Sequence, residues 1–359
     1  MPSAMPGQAA ASREERMPVG QTLDIGLYVN NRAAVFLEDY PLSKMVDTAV
    51  MAEELGYHSV WVGDSILAKP RYRPIPTLAA IAAKTRRVKL GTGILQPQLY
   101  NPVLLALDWA TLDVLAGGRT ILGVGIGAGP PEGMQREHEV CGVPKRRRGQ
   151  IFEEVIEIIK KLWTEEVVSY EGAFHRLEGI SLGYQPLQKP HPPIWIAAGG
   201  YNPKEAGVGP LGVHIPAEAG RFRGPFARVA RLGDGWFTVH CTPQEYAESW
   251  RFIQKLAHEQ YGRNPVDIHP AIDFWINVNS DREQGWAEAK WMLEHYHNLP
   301  MDDETVRRWC LLGSAQECIQ TLRAYAAAGV KTVMFVLAAR DQQAQVKRIA
   351  EEILPAFRE

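Results

Sequence analysis

Two apolar segments of this chain end in glycine rather than in a polar turn. They are Val88–Pro102 (VKLGTGILQPQLYNP) and Thr111–Gly129 (TLDVLAGGRTILGVGIGAG), and each contains a short run of Val, Ile and Leu. A helical segment, Leu104–Leu115, lies between the two runs, so the pattern predicts a βαβ unit with buried, parallel strands. Glycine at the carboxyl ends of these strands leaves the backbone open. We therefore expect a flat cofactor to lie over the strand ends of a barrel enzyme.

The same alternation of strand and helix continues along the chain. Eight apolar strands are predicted, which indicates an α/β fold of the (β/α)8 TIM-barrel class. These strands are Leu23–Val29, His58–Val62, Val88–Leu95, Thr120–Ile126, Pro193–Ala198, Gly235–His240, Ala271–Val278 and Val330–Leu337. We predict a single domain over residues 23–359, with a mobile N-terminal tail at residues 1–22 and an insertion at about residues 201–228.

Charge and cysteine content argue against several classes of partner. The net charge of −2 gives no reason to expect binding to nucleic acid or to an acidic membrane surface. No apolar stretch reaches the roughly 18 residues that a membrane span needs. Four cysteines without a CxxC motif indicate reduced thiols. We therefore predict a cytoplasmic protein that acts on a small-molecule substrate.

The glycine run Gly123–Ala128 matches the GxGxxA pattern of dinucleotide-binding folds, which requires a helix to open directly after it. Gly129, Pro130 and Pro131 follow here and resist helix entry. We interpret these glycines instead as positions of close approach by a ligand or by neighbouring backbone. The chain lacks HExxH, GxxxxGK[ST] and GxSxG motifs, which argues against zinc-protease, P-loop and α/β-hydrolase chemistry.

Residues at three predicted strand ends form the candidate site, because barrel enzymes carry their chemistry at that end. Asp64 follows the second strand and either acts on a ligand or caps the next segment. Gly93 and Ile94 end the third strand, as a surface for a planar ring or as a bulge. Gly199–Asn202 follows the fifth strand and forms either a phosphate site or an ordinary turn.

With these features in this order, the chain resembles the bacterial-luciferase-like family of flavin- and deazaflavin-dependent oxidoreductases. The matching segments cover nearly the whole chain in family order: Gly56–Asp64, Val88–Pro102, Ala110–Gly127, Trp163–Leu177, Pro192–Gly200, Arg231–Phe237 and Gly313–Gly329. Taken together they are highly specific. The resemblance implies a (β/α)8 barrel with insertions, in agreement with the strand pattern.

The resemblance also implies roles for individual residues. A non-prolyl cis peptide commonly lies under the flavin ring in this family, and its counterpart here is Gly93–Ile94. Asp64 occupies a position that is often His or Asp. Gly125 replaces the reactive cysteine of luciferase, so light emission is not implied. The phosphate site of the family corresponds to Ala198, Gly199, Gly200 and Asn202.

Our first functional hypothesis is an FMN-dependent oxidoreductase or monooxygenase. Reduced FMN from a separate flavin reductase would bind over the strand ends, and oxygen would be transferred to a small organic substrate. Asp64 is predicted to be the catalytic polar group beside the ring. Strand-end positions predict the walls of a substrate pocket at Tyr28, Gln96, Trp236 and His240. The resemblance also implies a homodimer.

A second hypothesis is hydride transfer with the deazaflavin coenzyme F420, which needs no oxygen. Lys145–Arg148, Arg221 or Arg223 would then meet the polyglutamate tail of the coenzyme, although basic runs usually form solvated faces. The deazaflavin enzymes of the family often have Asp-His after the second strand, whereas this chain has Asp64-Ser65. A third hypothesis is a barrel that stores or senses flavin without turnover.

Overall fold

The computed structural model describes residues 22–127, 131–199 and 223–358. Gly200, Asn202, almost all of the predicted N-terminal tail and most of the predicted insertion lie outside these residues. Residues 223–228, which we assigned to the insertion, instead open a helix. Within the three described ranges, no helix combines the length and the apolar character that crossing a membrane requires.

Eight parallel strands close a barrel in the described part of the chain, and they match the eight predicted strands. They are β1 Asp24–Tyr28, β2 Ser59–Val62, β3 Lys89–Thr92, β4 Thr120–Val124, β7 Ile194–Ala197, β8 Gly235–Val239, β9 His269–Val278 and β11 Thr332–Leu337. Each strand pairs with the next in this order, and β11 pairs with β1 to close the ring. The prediction of a (β/α)8 barrel is confirmed.

Three further strands lie outside the closed ring. β5 Val168–Glu171 and β6 Arg176–Ile180 form an antiparallel hairpin. β10 Cys310–Gly313 pairs with the carboxyl-terminal part of β9, beyond the point where β8 ends. The sequence analysis did not predict β10.

Helices connect the strands and cover the outside of the barrel. They are α1 Ala33–Phe36, α2 Leu42–Leu55, α3 Pro74–Lys84, α4 Pro102–Leu115, α5 Pro131–Val140, α6 Arg148–Thr164, α7 Arg223–Leu232, α8 Pro243–Lys255, α9 Arg282–His297, α10 Asp303–Trp309, α11 Ala315–Ala327 and α12 Gln342–Glu352. Capping residues in the sequence determine where several of these helices begin. Asn101 caps α4, and Thr242 and Ser314 form capping boxes at α8 and α11.

The lower part of the barrel interior is filled by aromatic side chains. Trp195 stacks on His269 at a ring-centroid distance of 4.7 Å and lies 5.3 Å from Trp61. Two glycines make room for these indoles: a Cβ on Gly91 or on Gly235 would lie 2.3 Å from an atom of Trp61 or Trp195, respectively. This packing closes the barrel from below. Ligand access is therefore left to the opening at the carboxyl ends of the strands, here called the barrel mouth.

Candidate active site

The floor of the barrel mouth consists of backbone and small side chains at the ends of β3, β4 and β7. The peptide bond Gly93–Ile94, directly after β3, is cis, as the family resemblance implied. Gly93, Ile94 and Ala197 are partly exposed, whereas most residues of the barrel strands are buried. Because the strands are parallel, Ile94 and Gly199 follow strand ends on the same rim.

Two glycines of the fourth strand region serve different purposes. A Cβ on Gly123 would lie 1.9 Å from the carbonyl oxygen of Thr92, so this glycine admits neighbouring backbone. A Cβ on Gly125 would lie 2.8 Å from Cδ1 of Ile94 and 3.3 Å from Cβ of Ala197. Glycine at position 125 therefore adds no side chain between Ile94 and Ala197. The resulting surface is apolar and without a projecting side chain at this position, which fits a planar ring system.

Asp64 is buried directly after β2, and both of its carboxylate oxygens accept hydrogen bonds from the protein. Oδ1 accepts from Arg73 Nη1 at 2.9 Å, and Oδ2 accepts from the Tyr100 hydroxyl at 3.0 Å and from the Gln96 backbone N–H at 3.3 Å. Its own backbone N–H donates to the carbonyl oxygen of Ile94 at 3.0 Å. Burial raises the pKa of Asp64, while Arg73 and Tyr100 oppose that rise. The geometry gives Asp64 a positioning role beside the cis peptide, and its part in catalysis stays a prediction.

The loop at residues 63–73, here called the β2 loop, is fixed by one carboxylate that the sequence analysis did not identify. Glu137 on α5 is 1% exposed, and its Oε1 accepts hydrogen bonds from the Ser65 hydroxyl at 2.6 Å and from the backbone N–H groups of Ile66, Leu67 and Ala68 at 2.5–3.0 Å. These donors hold the pKa of Glu137 below its usual value, against the opposing effect of burial. The β2 loop is therefore preorganised around a buried, charged acceptor.

Tyr28 lies between the β2 loop and the cis peptide. A Cβ on Gly63 would lie 1.8 Å from the Tyr28 hydroxyl oxygen, and a Cβ on Gly93 would lie 3.0 Å from Tyr28 Cε2. The hydroxyl accepts a hydrogen bond from Arg71 Nη1 at 3.2 Å. Tyr28 therefore lies beside the floor of the mouth, and its assignment to the substrate pocket stays a proposal.

The other predicted pocket walls lie in different environments. Gln96 is buried beside Asp64, and its Nε2 contacts Glu137 Oε2 at 3.4 Å. His240 follows β8 with φ of 58° and stacks on Trp309 at 3.8 Å. Trp236 is fully buried behind β8. There it stacks on Tyr246 and Trp250 of α8, and it is therefore left out of the site proposed below.

The predicted phosphate segment is described only at its first two residues. The Ala198 carbonyl oxygen accepts a hydrogen bond from Trp236 Nε1 at 2.9 Å, and its N–H donates to Phe237. Gly199 has φ of +77°, and a Cβ there would lie 2.5 Å from Phe226 Cζ. Only glycine fits this position without strain. Ala198 and Gly199, directly after β7, lie on the rim where the resemblance places a phosphate.

Asp273 is a second acidic residue that the sequence analysis missed. It lies on β9 between Ala271 and Trp275, whose side chains belong to the barrel interior, and is paired in register with Val239 and Met334. Alternation along the strand directs its side chain to the same interior. Burial raises the pKa of Asp273 to about 8. A carboxyl group that stays protonated near neutral pH can donate a hydrogen bond at the mouth.

Replacing Asp273 with asparagine should remove a pH dependence of stability. Because the folded pKa of about 8 lies above the unfolded value of roughly 3.9, the folded chain retains a proton that the unfolded chain releases. The free energy of unfolding should therefore fall as pH rises from about 4 to about 8. Asparagine cannot ionise, so D273N lacks this pH dependence. Because the carboxyl group of Asp273 is partly exposed, solvent screens its charge and reduces the size of the effect. We therefore expect the free energy of unfolding of D273N to exceed that of the parent by about 1–3 kcal/mol at pH 8 and to equal it at about pH 4.

Urea unfolding at pH 4.5, 6 and 8 measures this difference. The matched control is Asp108→Asn on the exposed face of α4, which should leave the pH profile unchanged. Parallel pH profiles for D273N and the parent protein would show that Asp273 ionises normally in the fold.

No group of three or more His, Cys, Asp or Glu side chains in the described ranges is arranged to hold a metal ion. The concave surface between the carboxyl end of α6 and the segment at residues 181–190 lies apart from the strand ends. We take the barrel mouth as the candidate site because of the residues that it brings together. The mouth combines the floor at Gly93, Ile94 and Ala197 with the β2 loop and the buried carboxylate of Asp64.

The chain is similar in sequence and in fold to known oxidoreductases and monooxygenases. The profile of the family described as luciferase-like monooxygenase matches residues 23–208, just over half of the chain. An F420-dependent glucose-6-phosphate dehydrogenase of Amycolatopsis mediterranei is 27% identical over 89% of this chain and 96% of its own length. The oxygenase component of a flavin-dependent trigonelline monooxygenase of Acinetobacter baylyi is 28% identical over 88% and 90%. The crystal structure of monooxygenase RslO1 from Streptomyces bottropensis superposes with a TM-score of 0.74 at 21% identity, covering 94% of this chain and all of that one.

Proposed function

The chain belongs to the luciferase-like monooxygenase family and is an enzyme of its oxidoreductase class, and we propose that it uses reduced FMN and dioxygen to oxidise a small organic substrate. The observation that carries the proposal is the open floor of the barrel mouth, where the cis peptide Gly93–Ile94, Gly125 and Ala197 leave room for a planar ring. The 28% identity to the oxygenase component of a flavin-dependent monooxygenase supports the choice of flavin.

Residues on the rim fit both ends of FMN. The isoalloxazine ring would rest on Gly93, Ile94 and Gly125, and the phosphate would lie at Ala198 and Gly199, with Gly200 and Asn202 completing that site. When bound, reduced FMN supplies the electrons for the reduction of dioxygen as one oxygen atom enters the substrate. The aromatic packing below the floor excludes water from the underside of the site. Asp64 holds the β2 loop against the cis peptide.

Hydride transfer with F420 is the second candidate, favoured by the 27% identity to an F420-dependent dehydrogenase over 89% of the chain. Arg146 and Arg147 are exposed and would be available to a polyglutamate tail. Ser65, which stands where that branch often has histidine, donates its hydroxyl hydrogen to Glu137 instead. That hydrogen bond commits the residue to loop structure, and we therefore place FMN first.

Anaerobic titration with reduced FMN and, separately, with F420 distinguishes the two candidates. We expect saturable binding of reduced FMN, followed by consumption of oxygen when air is admitted, and no comparable binding of F420. Tight binding of F420 without uptake of FMN in either redox state would overturn the first candidate in favour of the second. Failure to bind either coenzyme would overturn both.

Two further features belong to the same proposal. A separate reductase would supply reduced FMN, as the words "oxygenase component" imply for the trigonelline enzyme. The four cysteines are unpaired thiols, which supports a reducing, cytoplasmic location. The homodimer implied by the family resemblance is checked by the molar mass of the purified protein in solution.

A further inference from the structure

Three cations converge on one tyrosine ring beside the barrel mouth. Lys69 Nζ, Arg71 Cζ and Arg32 Cζ lie 5.5, 5.3 and 5.8 Å, respectively, from the ring centroid of Tyr296 in the last turn of α9. We call Arg32, Lys69 and Arg71 the cationic cluster. No carboxylate in the described part of the chain forms an ion pair with any of its three members. Glu137 acts electrostatically on Lys69, and Asp64 acts on Arg71, but neither carboxylate forms an ion pair with its cation. Three cations held together in partly buried surroundings without a directly paired carboxylate are costly.

The cluster also carries hydrogen-bond donors for which the described residues supply no acceptor. Within the described ranges, the Lys69 ammonium group contacts Nδ1 of His297 alone, at 2.9 Å, which leaves two of its three N–H donors unused there. Arg71 donates through Nε and Nη1 to the Lys69 carbonyl and to two tyrosine hydroxyls, while its Nη2 makes no hydrogen bond. Nε2 of His297 is buried without a partner. When Lys69 is charged, its ammonium group can only donate, so Nδ1 accepts and Nε2 carries the ring proton as a further donor.

The surroundings of Lys69 disfavour its charged form. Burial, together with Arg71 and Arg32, lowers the pKa of Lys69 to about 7, while Glu137 opposes them. An anion bound among the three cations would favour the charged ammonium group and offset the cost of burying it.

The cluster is joined to the floor of the mouth through Tyr28. Arg71 Nη1 bonds the Tyr28 hydroxyl, and the same tyrosine ring lies beside Gly93 at the cis peptide. Aromatic rings adjoin the cluster: Trp275 lies 4.8 Å from the Tyr296 ring, and Trp309 lies 5.1 Å from the His297 ring. A small molecule with an acidic group at the cations would therefore have its remaining atoms among apolar surfaces near the floor.

We propose that the cationic cluster binds an acidic group of the substrate, a carboxylate or a phosphate, and so holds the substrate beside the cofactor. This inference rests on the proposed function, because it names the substrate class for the same site. Arg32 follows β1, and Lys69 and Arg71 follow β2. Ala198 and Gly199, which would hold the cofactor phosphate, follow β7, which is four strands from β1 and three from β2 in the closed ring of eight. The two anion sites thus lie on opposite sides of the mouth, which assigns the cluster to the substrate.

Isothermal titration of the full chain tests the proposal with three probes: benzoate, inorganic phosphate and benzamide, the neutral counterpart of benzoate. The variants are Lys69→Met and Arg71→Met, and the control is Lys84→Met at an exposed position at the end of α3. We expect at least one acid to bind the parent tenfold or more tightly than benzamide does. Each cluster variant should weaken that acid by tenfold or more, while Lys84→Met leaves it unchanged. Arg71→Lys keeps a positive charge and should retain most of the affinity for the acid. It can be measured in place of Arg71→Met if that variant does not fold.

The outcomes separate this inference from the proposed function. Equal affinity for benzoate, phosphate and benzamide would overturn it, as would full acid affinity in folded Lys69→Met protein. If the cluster variants lose coenzyme affinity but keep acid affinity, the cluster serves the coenzyme phosphate and the inference fails. Absence of FMN and F420 binding in the parent protein would overturn the proposed function, while the acid titration would still decide the charge preference of the cluster.

Discussion

Replacing Ala197 with tryptophan is expected to weaken the binding of reduced FMN or F420 by about 100-fold or more, equivalent to roughly 2.7 kcal/mol. Ala197 ends β7, is partly exposed at the mouth, and lies 3.3 Å from the position of a Cβ on Gly125. An indole at this position would occupy the space above the floor where the ring is proposed to rest. Because Ala197 is partly exposed and not part of the close-packed core, the barrel should still fold.

Fluorescence titration of the coenzyme measures this effect, with Val266→Trp as the matched control. Val266 is 69% exposed and precedes β9 at the opposite end of the barrel, so an added indole there should not affect coenzyme binding. Binding by Ala197→Trp within about threefold of the parent would place the coenzyme elsewhere.

Glu137→Ala should have the largest effect on stability, a loss of about 3 kcal/mol or more. The substitution leaves the Ser65 hydroxyl and three backbone N–H groups of the β2 loop without their acceptor, and each unsatisfied buried donor costs about 1–3 kcal/mol. The loop can relax toward solvent, so the separate costs do not all add. Glu137→Gln retains an oxygen acceptor at the same position and should lose much less.

Two measurements check the effect of Glu137→Ala. Urea unfolding gives the change in stability, and limited trypsin digestion reports on the β2 loop. Trypsin cleaves poorly before proline, and Pro70 and Pro74 follow Lys69 and Arg73, so the opened loop should be cut after Arg71. An unchanged unfolding midpoint together with an intact loop would show that Glu137 does not hold it.

The barrel was predictable because its strands are short, continuous apolar runs bounded by glycine, a local property of the sequence. The open floor followed from Gly93 and Gly125, together with the resemblance that implied a cis peptide at Gly93–Ile94. The same reasoning placed Trp236 at the mouth, whereas alternation along β8 turns it outward onto α8. Trp236 is also the second residue of β8, near the amino end of the strand, so both its place along the strand and the direction of its side chain exclude it from the mouth.

The side-chain contacts of the β2 loop could not be predicted because the residues that make them are distant from each other in the sequence. Ser65 and Glu137 are separated by 72 residues, and Lys69 and His297 by 228. Glu137 lies on a short helix with an ordinary mixture of charged residues, so nothing in its local sequence distinguishes it. Asp273 did carry a signal: it is an acidic residue within an otherwise largely apolar strand, where its inward position could have been inferred from alternation with Ala271 and Trp275.

A crystal structure of the protein soaked with FMN or F420 would show whether a planar coenzyme rests on the floor of the barrel mouth. We expect ring atoms in van der Waals contact, at about 3.5–4 Å, with the Gly93–Ile94 peptide, and the phosphate beside Ala198 and Gly199. A coenzyme bound away from the strand ends, or a ring separated from Gly93–Ile94 by intervening side chains, would contradict this expectation.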